Sequence, residues 1–285
     1  MISRREYLRQ LAILAAGSTL APDAFAHAKD RKIGVQLYTL RGDIAKDAQG
    51  SIRKVAQLGF QEVENFGYNG KFFGMDPKTY RDLLSETGLT APSGHYLLNN
   101  LRNGWDKAVD DAAAIGQQYM VLAFLMPSER KTTDDYKQVA ELLNKAGETC
   151  QKAGIQLAYH NHDFEFQTLD NTLPFDILMT QTDPKLVKTE LDLYWAVKAD
   201  QQPLDLFRKY PGRIALWHVK DMDNTDKKAF TEVGNGTIDF KAIFKAHRRS
   251  GMKHFFVEQD ICPGSPFDSI AKSIAHIRQN LLRYV

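Results

Sequence analysis

Short apolar runs recur along the chain, separated by stretches with helical spacing. The runs fall at Lys32–Tyr38, Phe60–Asn65, Ala91–Tyr96, Tyr119–Phe124, Gln156–His160, Val187–Asp192, Ile214–Val219 and His254–Glu258. Several are almost continuously apolar, as strands of a parallel sheet buried on both faces must be. Between them, apolar residues return every three or four positions. Ile52, Val55, Ala56 and Leu58 form one such stripe; Tyr136, Val139, Ala140, Leu142, Leu143 and Ala146 form another. Gly59, Gly88, Gly116, Gly154 and Gly251 each stand between a helical segment and the next strand. A left-handed residue that ends a helix belongs there. Eight strand–helix repeats predict a single closed (β/α)8 barrel over residues 29–285. The alternative is an open doubly wound sheet, but no G-x-G-x-x-G follows the first strand.

The residues ahead of the barrel change the picture. Arg4-Arg5 precede an apolar run from Leu11 to Ala16, and Ala24-Phe25-Ala26 follows. Charged start, apolar middle and Ala-x-Ala site, in that order, describe a secretory signal. The adjacent arginines resemble those of a twin-arginine export signal. The apolar run is too short to span a bilayer. The expectation is a signal over residues 1–26, cleavage after Ala26, and a periplasmic protein without stable membrane anchoring.

The whole chain is 43% hydrophobic and carries a formal charge of +2. The hydrophobic fraction is enough for a large core. Near-neutrality gives no electrostatic reason to bind nucleic acid and leaves small neutral or weakly charged molecules as ligands. Cys150 and Cys262 are the two cysteines. In a barrel, Cys150 would end a helix at the bottom and Cys262 would follow a strand at the top. That is too far for a disulfide, so two free thiols are expected.

In such barrels chemistry gathers at the C-terminal ends of the strands. Four consecutive strand ends here carry His160, Asp192, His218 and Glu258, each separated from the next by about one strand–helix unit. Two imidazoles and two carboxylates around one point suit a divalent Mn, Zn, Co or Fe ion, and the mixed set argues against Ca²⁺. Glu64, His95, His162, Glu165, Trp195 and Lys220 lie near the same ends. Gln36, Tyr38 and Arg41 follow the first strand but carry no assignment. Gly234-Asn235-Gly236 reads as a turn, since it lacks the lysine and hydroxyl of a phosphate loop.

The motifs carrying these residues resemble those of the xylose-isomerase-like TIM-barrel superfamily, among proteins labelled sugar phosphate isomerases/epimerases. They are Gly34-Val35-Gln36-Leu37-Tyr38-Thr39-Leu40-Arg41, Tyr159-His160-Asn161-His162 with Glu165-Phe166, Glu190-Leu191-Asp192-Leu193-Tyr194-Trp195, His218-Val219-Lys220-Asp221, Gly234 to Phe240, and Val257-Glu258-Gln259-Asp260. The resemblance implies one divalent ion held by Glu, Asp, His and Glu on strands five to eight. Asp192, His218 and Glu258 match the last three. Where an epimerase would have the first glutamate, this chain has His160, with His162 two residues on. Sugar epimerases of this kind use two glutamates on opposite faces of the substrate, so the departure removes that symmetric pair. Barrels of this family often pair, and a homo-oligomer is compatible with the chain.

The implied chemistry starts with a metal-bound carbonyl whose neighbouring C–H is acidified and deprotonated. Glu258 is the candidate base and ligand, and His162 a candidate acid/base, since imidazole titrates near neutral pH. Glu64, His95, Glu165, Lys220 and Trp195 are candidate contacts to a sugar or keto-sugar. Lys220 has a plainer reading as the partner of Asp221 or Asp223, and Trp195 as packing. Under the family label the activity is isomerase/epimerase. A lyase or dehydratase acting by β-elimination on a 3-keto-sugar, keto-glycoside or keto-inositol is the alternative. A non-catalytic periplasmic sugar binder is a further one, and an endonuclease is disfavoured by charge.

Overall fold

The computed structural model describes residues 31–285, so the expected export signal lies outside the described residues. Eight parallel strands close into a barrel, each hydrogen-bonded to its sequence neighbours and the last to the first. They are β1 (Gly34–Gln36), β2 (Glu62–Asn65), β3 (Thr90–Tyr96), β4 (Tyr119–Leu122), β5 (Gln156–His160), β6 (Val187–Asp192), β7 (Ile214–Val219) and β8 (His254–Val257). The main outer helices are α1 (Ala48–Gln57), α2 (Pro77–Thr87), α3 (Trp105–Ala114), α4 (Thr133–Lys152), α5 (Pro174–Gln181), α6 (Pro203–Lys209), α7 (Phe240–Lys245) and α8 (Pro266–Asn280). No helix among the described residues is long and apolar enough to cross a membrane.

The apolar stripes became helix faces packed on the barrel. Ile52 and Val55 of α1, and Tyr136, Val139, Ala140, Leu143 and Ala146 of α4, are buried. Asp47 caps α1, and Asp76 caps α2 ahead of a proline in its first turn. All five glycines expected to end helices have positive φ, Gly88 for example at 72° as the cap of α2. β1 is shorter than its apolar run because Gln36 Oε1 accepts the Tyr38 N–H and turns Leu37–Leu40 into a 3-10 helix.

Two layers fill the barrel interior. The lower one packs Val121, Ala158, Leu216 and Phe256 against one another, all fully buried. Phe256 occupies the space a side chain at Gly34 would need: a Cβ there would collide with its ring. Side chains two residues apart on a strand share a face. So His160, His218 and Glu258, two places beyond Ala158, Leu216 and Phe256, stand directly above this apolar floor. Cys150 is buried and Cys262 half-buried, and both are free thiols, as expected.

Candidate active site

Strand register sets the polar layer. His160 pairs with Glu190, and Asp192 with His218. Gln36 pairs with Glu64, and Glu64 with Ser93. The layer opens into a cavity of about 510 Å³ at the C-terminal end, lined by His95, His160, His162, Lys220, Glu258 and Asp260 and, on its apolar side, Tyr38, Phe66, Leu97 and Phe124. A cavity of about 720 Å³ opens at the other end among Arg31, Lys32, His247, Arg248 and Lys253. It holds a single imidazole–carboxylate pair, His254 with Glu62 at 2.7 Å, against the cluster of several that marks the upper one.

Three imidazoles converge on one carboxylate oxygen. Glu190 Oε2 lies 2.7 Å from His95 Nε2, 3.2 Å from His160 Nδ1 and 3.2 Å from His218 Nε2. Glu64 Oε2 lies 2.5 Å from His218 Nε2 and 3.4 Å from His95 Nε2. Glu64 is held by donors from Gln36 (2.8 Å) and Ser93 (2.5 Å). On the cavity side, Lys220 Nζ sits among three carboxylates, 2.9 Å from Asp192, 2.6 Å from Glu258 and 3.1 Å from Asp260. His218 stands between the two groups, its Nδ1 2.7 Å from Glu258 and 3.8 Å from Asp192.

The electrostatics follow from burial. Desolvation pushes the Glu190 carboxyl up to about 7, helped by the neighbouring Glu64. Burial also pushes against ionisation of Glu64 and Glu258, but His95 and His218 hold Glu64 at about 2, while Lys220 and His218 hold Glu258 far below the carboxylate range. Asp260 rises to about 6 by desolvation, against the pull of Lys220. Burial drives His160 well below its ordinary value; in His95 and His218 burial pushes the same way but the neighbouring carboxylates outweigh it and raise both. The carboxylates around Lys220 more than offset its desolvation and keep it an ammonium.

The arrangement fits a cation. His160 Nδ1, His218 Nδ1, Glu190 Oε1 and Asp192 Oδ2 are buried atoms with no hydrogen bond of acceptable geometry, although ion-pair partners lie near most of them. Buried polar atoms are normally satisfied, and imidazoles with carboxylates are a donor set for a transition metal. His95, His160, Glu190 and His218 offer atoms all within 4.8 Å of one another, as do Asp192, His218 and Glu258.

All four residues expected to hold a metal therefore meet in this layer. Other expectations need correction. Glu64 and Glu165 are fully buried and do not line the cavity. Glu165 accepts from the Tyr159 hydroxyl (2.5 Å) and the His162 backbone N–H (2.7 Å), so it holds the His162 turn. His162 does line the cavity, but burial, with the Lys220 charge, depresses its pKa to about 3. Its ring packs against Phe124, Phe164 and Trp195. Its surroundings thus favour the neutral ring. Trp195 packs on Phe230 and Tyr194 and lies outside the cavity wall.

Lys220 pairs with neither Asp221 nor Asp223. Asp221 accepts backbone N–H groups from Met222 (2.9 Å), Gly234 (2.9 Å), Gly236 (3.0 Å) and Ile238 (3.3 Å). The Gly234-Asn235-Gly236 turn is thus wrapped around a buried carboxylate, and a Cβ on Gly236 would strike Asp221. Two contributors went unassigned in the sequence. Glu190 shares the inward face of β6 with Asp192, a signal the alternation already contained. Asp260 stands two residues past Glu258 on the same rim.

Residues 52–280 match a family model described as xylose isomerase-like TIM barrel. The chain is 31% identical to an inosose dehydratase of Lacticaseibacillus casei over 161 residues, 50% of this chain and 53% of that protein. It thus spans about half the length of the curated relatives it matches. A solved sugar phosphate isomerase/epimerase from Parabacteroides distasonis ATCC 8503 superposes with a TM-score of 0.78 at 29% identity, covering 93% of this chain and 97% of that one. An IOLI protein with a bound zinc atom superposes with a TM-score of 0.70, covering 89% of this chain and 99% of that one, and at 12% identity it shares the fold alone. The eight-stranded closure, the polar layer at its C-terminal end and the match across 52–280 agree: the chain belongs to the xylose isomerase-like TIM barrel family.

Proposed function

We propose that the protein is a metal-dependent enzyme that removes a proton next to the carbonyl of a keto-sugar or keto-inositol and then expels a β-substituent. The observation that carries this reading is the polar layer of imidazoles, carboxylates and one ammonium on the floor of a cavity of about 510 Å³. A divalent ion, held within the set His95, His160, Glu190, Asp192, His218 and Glu258, would polarise the carbonyl and acidify the adjacent C–H.

The chain's own groups supply the rest. Lys220 brings a fixed positive charge to the cavity wall, where the oxygen of an enediolate gains charge. Glu258 and Asp260 flank that ammonium and face the cavity, so either carboxylate can take the α-proton. The C–H electron pair then forms the enediolate. Its collapse reforms the carbonyl, creates the C=C bond and pushes out the β-oxygen, which takes the proton back from the carboxylate. The neutral His162 ring is placed to hold a substrate hydroxyl.

Elimination is favoured over epimerisation because no carboxylate at the end of β5 lines the cavity to serve the opposite face; that place is held by His160. The dehydratase names of relatives such as that of L. casei support the same direction. The isomerase/epimerase name of the P. distasonis structure supports proton return to carbon as the second reading. Incubation with inososes and 3-keto-glycosides in D₂O separates the two. Enone formation with loss of water or aglycone is expected. Deuterium uptake or stereochemical change without loss would establish the second reading, and neither would refute both. Export through the twin-arginine route belongs to the proposal, on Arg4-Arg5 and Ala24-Phe25-Ala26. An N-terminus at His27 in periplasmic protein is the expected result.

A further inference from the structure

The upper cavity changes character between its floor and its mouth. Among the described residues, four large hydrophobic side chains stand exposed: Tyr38 (41%), Leu97 (51%), Met126 (54%) and Ile261 (68%). Three of them line the cavity, and Met126 stands two residues past Phe124, which also lines it. They follow β1, β3, β4 and β8, so four segments far apart in the chain bring exposed apolar groups to one rim. We infer that this rim is a subsite for an apolar, aromatic aglycone, which makes a keto-glycoside, rather than a bare keto-inositol, the substrate. This rests on the elimination reading above and names the group that is expelled.

Single exposed apolar side chains are ordinary, but a cluster around a cavity mouth marks a place that receives a ligand. Polar groups on this wall are already engaged. Tyr68 donates its hydroxyl to Asp111 (2.5 Å), and Asn100 Oδ1 accepts the Leu97 N–H (2.9 Å). Arg41 donates to the carbonyl oxygens of Asp260 (2.8 Å) and Tyr38 (3.1 Å). Hydroxyls brought against such a wall would lose water without gaining a partner. A keto-inositol, polar at every ring carbon, uses only the floor and leaves the rim in water.

The wall is also held in place. Tyr38 meets Phe66 edge to face with ring centres 5.4 Å apart, and Phe66 lies 5.3 Å from Phe73. The Arg41 guanidinium stands 4.5 Å from the centre of the Tyr38 ring. On the β4 side Phe124 packs edge to face with Phe164 at 5.6 Å. An aromatic group docking against fixed rings costs little side-chain freedom and gains their area.

The rim adjoins the groups that do the chemistry. Asp260 and Ile261 are chain neighbours and both line the cavity. In a 3-keto-glycoside the proton leaves the carbon between the carbonyl and the anomeric carbon, taken by Glu258 or Asp260. Its electron pair becomes the C=C bond, the glycosidic C–O bond breaks, and the departing oxygen keeps that pair and takes up the proton. No co-reactant is needed.

Binding separates the subsite from the chemistry. Phenyl and methyl glucosides, in both anomeric forms, lack the carbonyl and would be titrated calorimetrically into the protein as purified. The better phenyl anomer is expected to bind at least about tenfold more tightly than its methyl counterpart, from the extra apolar area buried. In the double variant Leu97→Ser/Ile261→Ser that ratio should fall below about threefold. Both residues are more than half exposed, and circular dichroism would confirm the fold. Equal affinities, no phenyl glucoside binding at millimolar concentration, or an unchanged ratio in the double variant would overturn the inference. So would a wild-type dimer in sedimentation that becomes a monomer in the double variant, since a second copy would then cover the rim. The 3-keto forms test the wider reading separately: phenol release is expected, whereas phenyl preference without release would leave the subsite standing and refute elimination.

Discussion

Replacing Lys220 by methionine should destabilise the metal-free protein strongly. The change leaves Asp192 and Glu258, almost fully buried, and the partly buried Asp260 without the ammonium that lies 2.6–3.1 Å from each. Removing one partner of a buried ion pair typically costs about 3–5 kcal/mol, because the remaining charge has lost its counter-ion and cannot return to water. Three carboxylates share this lysine, but protonation relieves part of the strain, so about 3–5 kcal/mol is the expected loss at pH 8. For a chain of this size that is a fall in Tm of roughly 6–15 °C. At pH 5 the deficit should shrink, since burial raises Asp260 to about 6, where it takes up a proton, and raises Asp192 in the same direction. Differential scanning calorimetry in EDTA at both pH values reads this, and a variant within about 2 °C of wild type at pH 8 would refute the reasoning.

Asp221→Ala strips four backbone N–H groups of their shared acceptor and should lose about 3–5 kcal/mol in urea unfolding; a loss below about 1 kcal/mol would show that the Gly234–Gly236 turn does not depend on this carboxylate. Glu165 is raised by burial from its ordinary value near 4.5 to about 7, so the folded state holds its proton more tightly than the unfolded state. Its contribution is complete below about pH 4.5 and is lost as pH rises through about 7, at most about 3 kcal/mol in all. Glu165→Gln should flatten that slope in a pH series of urea melts, whereas parallel curves would contradict it. Gly34→Ala places a methyl against the Phe256 ring in the barrel floor and should cost about 1–3 kcal/mol by overpacking, seen as a lower thermal midpoint.

The barrel was legible because its determinants are local. A strand buried on both faces must be apolar almost throughout, and β7, from Ile214 to Val219, reads that way in the sequence and is buried along its whole length. Gly88 and Gly154 end helices through their own backbone freedom, which no distant residue has to supply. His160, Asp192, His218 and Glu258 could be placed together for the same reason: one strand–helix unit of spacing puts each on the next strand of a closed ring.

What stayed hidden depends on how the ring closes. Lys220 has Asp221 and Asp223 as sequence neighbours, yet Asp221 is taken by loop N–H groups and Asp223 by Thr225 and Ala229. Its partners come from β6 and from the residues just past β8, and only the β6–β7–β8 register brings them together. Glu190 posed a question of depth: alternation places it on the same inward face as Asp192, but the sequence does not show that it faces three imidazoles while Asp192 faces an ammonium. His162 illustrates the same limit in chemistry. A histidine's residue type suggests titration near neutral pH, but burial among Phe124, Trp195 and its chain neighbour Phe164, with the Lys220 charge nearby, lowers this one to about 3. The sequence thus named the atoms available for catalysis, and closure of the barrel assigned them their charges. Lys220 is the plainest case: three carboxylates from β6 and the residues past β8 hold its ammonium, and the register of three strands brings them to it.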